Sequence, residues 1–238
     1  LIDSDEEETI YEYIEDINYD DSQRAFDIIH VIALLHSKTT YYKEVDYDEY
    51  KTIYEETINK IDYIYNYYLD IINVIESKIY MSPSEYLIAR NISKIFSCIY
   101  FCKNEMESWY ELVKNKKRKR VVTLHNNLKL DNLIKNKQTF LISWDKSKID
   151  MPIYDIVNFY NRYALNFDFK GLLSEYERIF PLLEDEKKLL GVLISIPEKI
   201  TNTKSEYEMV KSVRHLLDKI YKTEILLTPE EEEKTKST

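Results

Sequence analysis

Glycine, proline and cysteine are scarce in this chain. Its 238 residues include only two Gly, five Pro and two Cys. Gly and Pro are the residues that most often interrupt a helix, so their scarcity predicts long continuous helices. The chain is long enough to bury a substantial hydrophobic core, as one large domain or two small ones.

Long apolar runs are also missing. No run approaches the roughly 18 residues that a membrane-spanning helix needs, and no signal peptide is visible. A hydrophobic content of 44% with 32% charged residues is typical of a soluble globular protein. The formal net charge of −10 argues against a general nucleic-acid binder. We therefore expect a cytoplasmic protein with no membrane span and no nucleic-acid partner.

The two cysteines, Cys98 and Cys102, are four residues apart on one face of an apolar helix. In a reducing cytosol, buried free thiols explain this spacing better than a disulfide does. A zinc site would need two further ligands nearby, and the sequence supplies none there.

Apolar residues follow a 4-3-4-3 spacing from residue 50 to residue 80, which predicts one long amphipathic helix. A coiled-coil dimer seam is one interpretation of this stripe, and packing against the rest of the same domain is the other. Tyr and Ile also occupy flanking positions, which favours packing within the domain, although a homodimer through exposed apolar faces stays open. The stripe consists of Tyr54, Ile58, Ile61, Tyr65, Tyr68, Ile72, Ile75 and Ile79.

Six further helices are predicted from apolar periodicity and helix-capping residues. Ser82, Pro83 and Glu85 have the spacing of a capping box at the start of one of them. His30 and His36 lie in the first helix, where we expect them to be packed or hydrogen-bonded rather than catalytic. The segment 228–238 is charged and poor in apolar residues, so we expect it to be disordered. The six helices cover about 25–36, 83–113, 156–163, 172–180, 184–196 and 205–221.

The stretch 121–145 differs from the helices around it. Apolar and β-branched residues at 121–124 and 140–142 flank a polar loop, which predicts two short strands on either side of that loop. A small strand region that carries polar side chains in a helical protein is the candidate place for chemistry. The preceding run, 114–120, has six positive charges in seven residues and is either a solvated connector or a contact for phosphate or an anionic surface.

The spacing of His125, Asn127, Leu128 and Asn132 resembles the H-G-D-L-x-x-x-N loop of the aminoglycoside phosphotransferase and choline kinase family. In that family the loop is followed by a strand that ends in I-D-W or I-D-F, and the corresponding residues here are 141–144, Leu-Ile-Ser-Trp. The tyrosine-rich and lysine-rich composition is similar to that of the family's spore-coat-kinase branch in Gram-positive bacteria.

The resemblance implies a mainly α fold, the helical C-terminal lobe of a protein-kinase-like fold with a small β-hairpin region that carries the catalytic-type loop. That lobe would span 19–227, and 1–18 would be the last strand of the N-terminal lobe and the interlobe hinge. It also implies ATP and Mg²⁺ as cofactors and a small hydroxylated molecule as the phosphoryl acceptor. Asp155, which follows Pro152 at the start of the next helix, is a familial feature near the site.

Within this resemblance His125 braces the loop and Asn132 is a candidate metal ligand. Two positions depart from the family, because Asn127 stands where it has the catalytic Asp and Ser143 where it has a metal-binding Asp. An amide cannot accept a proton as a carboxylate does, and a hydroxyl brings no charge to Mg²⁺. Asp145 lies two residues beyond Ser143 and would share its face if the strand continued.

Two hypotheses therefore stand. The first is a small-molecule phosphotransferase with Asn127 in the position of the base, and Asn132, Asp145 and Ser143 around the metal. The second is a binding or scaffold protein that kept the fold and lost the chemistry. No Gly-rich phosphate loop and no strand lysine precede residue 19, so we expect the nucleotide-covering lobe to be largely missing and no cofactor to be bound by this chain.

Overall fold

The structure is a computed structural model that describes residues 3–4, 9–10, 13–200 and 205–228. That part of the chain is mostly helical, as the sequence predicts. The predicted N-terminal strand and hinge lie partly outside the described residues, and the predicted disordered segment lies outside them from residue 229 onward. The helices are α1 (Asp21–Thr39), α2 (Tyr47–Glu76), α3 (Pro83–Val113), α4 (Ile153–Tyr163), α5 (Phe169–Ile179), α6 (Glu184–Ser195) and α7 (Glu206–Leu227).

Short antiparallel strands form three small sheets. One sheet pairs β1 with β2, a second has the order β3-β4-β7, and the third pairs β5 with β6. In the second sheet Val121 lies opposite Tyr41 and Val122 opposite Asp150, so β4 is the central strand. The strands are β1 (Asp3–Ser4), β2 (Thr9–Ile10), β3 (Tyr41–Glu44), β4 (Arg118–Leu124), β5 (Leu133–Lys135), β6 (Thr139–Leu141) and β7 (Lys148–Asp150).

Helix α3 is the centre of the helical packing, because it contacts α2, α6 and α7. Its buried face carries Ile95, Ile99, Met106 and Trp109. The predicted capping box is confirmed at its start, where the Ser82 hydroxyl accepts the Glu85 N–H and the Ser82 N–H donates to the Glu85 carboxylate.

The cysteines face α6 from this same helix. Cys102 is buried and Cys98 is half-buried, and both carry free thiols. The Cys98 thiol donates to the Ser195 carbonyl at 3.0 Å.

The apolar stripe of α2 is buried within the chain itself. Ile61, Tyr68 and Ile75 lie in the common core, as the interpretation of packing within the domain predicts. The stripe's last position is wrong, because α2 ends at Glu76 and Ile79 is 92% exposed. Ser82, the residue before Pro83, is extended, so α2 and α3 are two separate helices rather than one.

The interpretation of the basic run 114–120 as a solvated connector is wrong at its C-terminal end, because Arg118, Lys119 and Arg120 form the first half of β4. Alternation along the strand directs these side chains to carboxylates on neighbouring elements. Lys119 pairs with Glu49 of α2, and Arg120 pairs with Glu186 of α6. Lys119 and Arg120 are therefore part of the fold, whereas the Arg118 side chain is 66% exposed.

The segment before α1 lies along the β5–β6 hairpin. The Ile17 N–H donates to the Lys135 carbonyl at 2.9 Å, and the Lys135 N–H donates to the Asp16 carboxylate at 2.8 Å. Arg24 of α1 joins the two, since its guanidinium donates to Asp16 and to the Leu133 carbonyl, each at 2.8 Å. Among the described residues, no helix has the length and apolar content that crossing a membrane requires.

Candidate functional site

The polar loop begins after Leu124, the last residue of β4, whose side chain is buried in the core. The chain then passes through His125 and turns at Asn126, which has a φ of 57° in the left-handed region. Leu128 is buried and anchors the middle of the loop, and a 3-10 turn at Leu130–Asn132 leads into β5. The predicted loop is therefore present, but it leads into β5, a strand that the sequence did not predict, before β6 at the predicted second strand.

Asp155 holds the start of this loop. Its carboxylate accepts the His125 N–H at 2.8 Å and the Asn126 N–H at 2.6 Å, and it lies 3.3 Å from the His36 Nε2 atom. The residue is fully buried in the first turn of α4. The unpaired N–H groups of that turn favour a negative charge there, and the bonds to the charged group are stronger than neutral ones.

His125 bonds to backbone through both ring nitrogens. Its Nε2 atom lies 2.8 Å from the Ile142 carbonyl, which can only accept, so Nε2 carries the proton. Its Nδ1 atom then accepts the Asn127 N–H at 3.3 Å. The ring also meets Trp144 edge-on, with 4.7 Å between ring centroids. This arrangement ties the loop to the end of β6 and leaves His125 no free nitrogen to act as a base.

Asn127 and Asn132 are brought together by the loop. The Asn132 side-chain amide donates to the Asn127 carbonyl at 2.7 Å, and the Asn132 carbonyl accepts the Ile142 N–H at 2.9 Å. Asn132 is 7% exposed. Its side-chain oxygen is the atom that remains for a cation, and its backbone lies next to the residue that precedes Ser143.

Ser143 and Asp145 do not share a strand face. Strand β6 ends at Leu141, Ser143 has a φ of 65°, and a 3-10 turn runs from Trp144 to Lys146. A left-handed residue followed by a tight turn ends the alternation on which the placement of Asp145 beside Ser143 depended. The strand does not continue to Asp145, so the condition for that shared face is not met, and both side chains are exposed.

Asn126 is a site residue that the sequence reasoning missed. Its side-chain oxygen accepts from the Asn158 amide at 3.0 Å, and its own amide donates to the Lys146 carbonyl at 3.1 Å. The signal was present, because the family pattern has Gly at this position and a required Gly often marks a positive φ. Asn is among the few other residue types that tolerate this conformation.

The side chains at the loop fit Mg²⁺ poorly. Asn132 and Ser143 offer neutral oxygens, and Asp145 is the one carboxylate among the candidate ligands. Proteins bind Mg²⁺ through one or two carboxylates together with substrate phosphates. Within the described ranges, no group of three or more His, Cys, Asp or Glu residues is arranged to hold a metal ion.

Comparison with known proteins gives a likeness in structure but none in sequence. No family model matches the chain, and no curated protein sequence matches it. The crystal structure of an aminoglycoside phosphotransferase from Alicyclobacillus acidocaldarius subsp. acidocaldarius DSM 446 is similar, with a TM-score of 0.60 at 9% sequence identity. The match covers 90% of this chain and 69% of the other. The chain is therefore similar in fold to a kinase-like phosphotransferase.

Proposed function

We propose that this chain is a kinase-like phosphotransferase-family protein with an altered site, in which phosphoryl transfer to a small hydroxylated molecule is slow or absent. One observation carries the proposal. The loop backbone is held firmly by Asp155 and His125, while Asn127 and Ser143 bring no carboxylate to the positions where the family has Asp.

The missing carboxylates bear on two separate parts of the chemistry. A positioned base contributes roughly 10²–10⁴-fold to the rate of a proton transfer, and Asn127 cannot serve as one. A hydroxyl at 143 removes a charge that would hold Mg²⁺ against the phosphates. A site that lacks both is suited to binding a hydroxylated ligand, which amides and hydroxyls can hydrogen-bond without reacting.

A second candidate is an active phosphotransferase that uses neighbouring carboxylates. Asp131 precedes Asn132 directly, Asp145 follows the turn at Ser143, and both are exposed. A backbone shift would be needed to direct either of them to the place of a missing Asp. The narrower assignments, to the spore-coat-kinase branch and to a cytoplasmic or spore-associated location, follow from the resemblance alone and stay predictions, as does a homodimer.

Restoring the carboxylates tests the proposal. We expect ATP with Mg²⁺ to give no thermal shift of the unmodified chain. In a version of the protein that also carries a nucleotide-binding N-terminal lobe, we expect Asn127→Asp/Ser143→Asp to raise ATP consumption in the presence of a panel of small polyols and amino sugars at least tenfold, since a base alone is worth more than that. Asn115→Asp/Ser93→Asp is the matched control, because it adds two negative charges at exposed positions outside the loop, one in α3 and one in the turn that follows α3.

Two results would count against the altered site. Transfer by the unmodified chain at the rate of the restored variant would favour the active enzyme. No gain in the restored variant of the two-lobed protein, together with unchanged folding by circular dichroism, would show that Asn127 and Ser143 are not what limits phosphoryl transfer.

A further inference from the structure

A buried chain of side chains leads from α5 to the candidate loop. The Tyr176 hydroxyl lies 2.6 Å from His36 Nδ1, and His36 Nε2 lies 3.3 Å from the Asp155 carboxylate. Tyr176, His36 and Asp155 are each 0% exposed. Asp155 in turn accepts the N–H groups of His125 and Asn126. Three elements far apart in sequence therefore meet at the start of the loop.

With a neutral His36 ring and an ionised Asp155 carboxylate, the direction of each bond follows from the chemistry of these groups. The Asp155 carboxylate only accepts, so the proton on this side of His36 is on Nε2. In the neutral ring Nδ1 is then an acceptor, and the Tyr176 hydroxyl donates to it. Burial raises the pKa of Tyr176 well above its ordinary value, so the hydroxyl keeps the proton that it donates. Tyr176 thus orients His36, and His36 in turn orients Asp155.

We propose that Tyr176 is a positioning residue for the candidate loop, because its hydroxyl fixes the His36 tautomer that donates to Asp155. Asp155 then keeps both of its oxygens aligned with the two loop N–H groups. The inference rests on the proposed function only in treating this loop as the functional site. It adds a distant residue that sets the shape of the loop, including the left-handed turn at Asn126.

Packing alone is the competing explanation for a buried tyrosine here. The Tyr176 ring meets Phe180 and His36 edge-on, at centroid distances of 6.0 and 5.8 Å. Tyr176→Phe separates the two explanations, since it keeps the ring and removes only the hydroxyl. A loss confined to the loop would then come from the hydrogen bond.

Amide hydrogen exchange and the nitrogen chemical shifts of His36 test the proposal in Tyr176→Phe. We expect the His125 and Asn126 amides to exchange about tenfold faster than in the unmodified chain, because a buried ring nitrogen loses its donor. We also expect His36 to leave its single Nε2–H tautomer. Tyr160→Phe is the matched control, since it removes another buried hydroxyl, one that bonds to Thr223 at 2.6 Å, and it should leave both readouts unchanged.

Two outcomes would overturn the proposal. One is unchanged exchange and tautomer in Tyr176→Phe, and the other is an equal acceleration in Tyr160→Phe. His36→Gln against His36→Asn provides a second comparison, because Gln places an amide donor near the position of Nε2 and Asn does not. Protection of Asn126 should be kept better by Gln. These readouts need no catalytic activity, so they stay informative even if the restored variant transfers no phosphate.

Discussion

Asn126 and Ser143 are the two described residues other than glycine with a positive φ, at 57° and 65°. One turns the chain as it leaves β4, and the other turns it after β6, so both shape the candidate site. The left-handed conformation costs roughly 1–2 kcal/mol for an ordinary L-residue. Asn126 offsets part of that cost with side-chain hydrogen bonds, whereas the Ser143 side chain makes no capping bond.

At residue 143 we predict that Gly stabilises the fold more than Ala does, which is the reverse of their order in a helix. Ser143→Gly should have a higher free energy of unfolding than Ser143→Ala, by about 1 kcal/mol, because only Gly escapes the steric cost. Ser143→Asp should be close to the unmodified chain, since Asp tolerates this region better than most residues. Urea denaturation followed by circular dichroism measures all three.

Ser174 provides the control for this ranking. It lies on the exposed face of α5. There the Ala variant should have a free energy of unfolding about 1 kcal/mol higher than the Gly variant. If Ala were also the better residue at 143, the left-handed turn described here would be contradicted.

At the scale of elements, the ion pair between β4 and α6 fastens the strand that leads into the loop. The Arg120 guanidinium donates to Glu186 and to the Pro181 carbonyl, the latter at 2.9 Å, and it stacks over the Phe180 ring at 4.2 Å. Glu186 is 3% exposed and also accepts the Leu183 N–H at 2.9 Å. The Glu186 carboxylate therefore binds both the backbone at the start of α6 and the Arg120 side chain of β4.

We predict that Arg120→Met lowers the free energy of unfolding by about 3–5 kcal/mol, because it leaves the Glu186 carboxylate buried without its cation. Arg118→Met is the matched control on the same strand. The Arg118 side chain is 66% exposed and pairs loosely with Glu44 at 3.6 Å, so its loss should cost about 1 kcal/mol or less. Denaturant unfolding of the two variants measures both losses, and equal losses would contradict a greater contribution of the buried Arg120–Glu186 pair.

The sequence predicts the helices of this fold better than its strands. Periodicity predicted all seven helices, because each buries one stripe on its own neighbours. Their ends were less predictable: α7 continues to Leu227 rather than 221, since its last turns still pack on the core. Strands β3, β5 and β7 were missed, because each is short and is defined by pairing with β4 or β6 rather than by any local pattern.

At the candidate site, too, local features could be predicted from the sequence and long-range contacts could not. The loop spacing placed His125, Asn127 and Asn132 in one turn, which is a local property of the chain. The contacts of Asp155, His36 and Tyr176 join residues up to 140 positions apart, and nothing in a local pattern reports them. The turn at Ser143 was missed because serine rarely adopts a positive φ.

At the scale of the whole molecule, the buried residues of α1 through α7 form one continuous hydrophobic cluster. Residues of β4, the loop and β5 belong to the same cluster, through Val122, Leu128 and Leu133. A shared core makes the loss of one element costly for the others. The described part of the chain should therefore unfold as one cooperative unit.

We predict that helix content and the reactivity of the Cys102 thiol report the same denaturation midpoint. Cys102 is fully buried in the core, so in a Cys98→Ala variant it should react with a thiol reagent only as the helices unfold. In the matched Cys102→Ala variant the half-buried Cys98 should react earlier. Labelling of Cys102 well below the midpoint seen by circular dichroism would show that α3 opens independently of the remaining core.

The indole beside the loop has an optical consequence. Of the two tryptophans in the chain, Trp109 is 1% exposed inside the core, whereas Trp144 is 39% exposed and rests against His125. Emission from Trp109 should stay blue and constant, while emission from Trp144 should shift in colour or intensity whenever a molecule displaces water from the loop. The chain therefore contains an intrinsic fluorophore at its candidate site, with which unlabelled compounds can be screened for binding before any reaction is known.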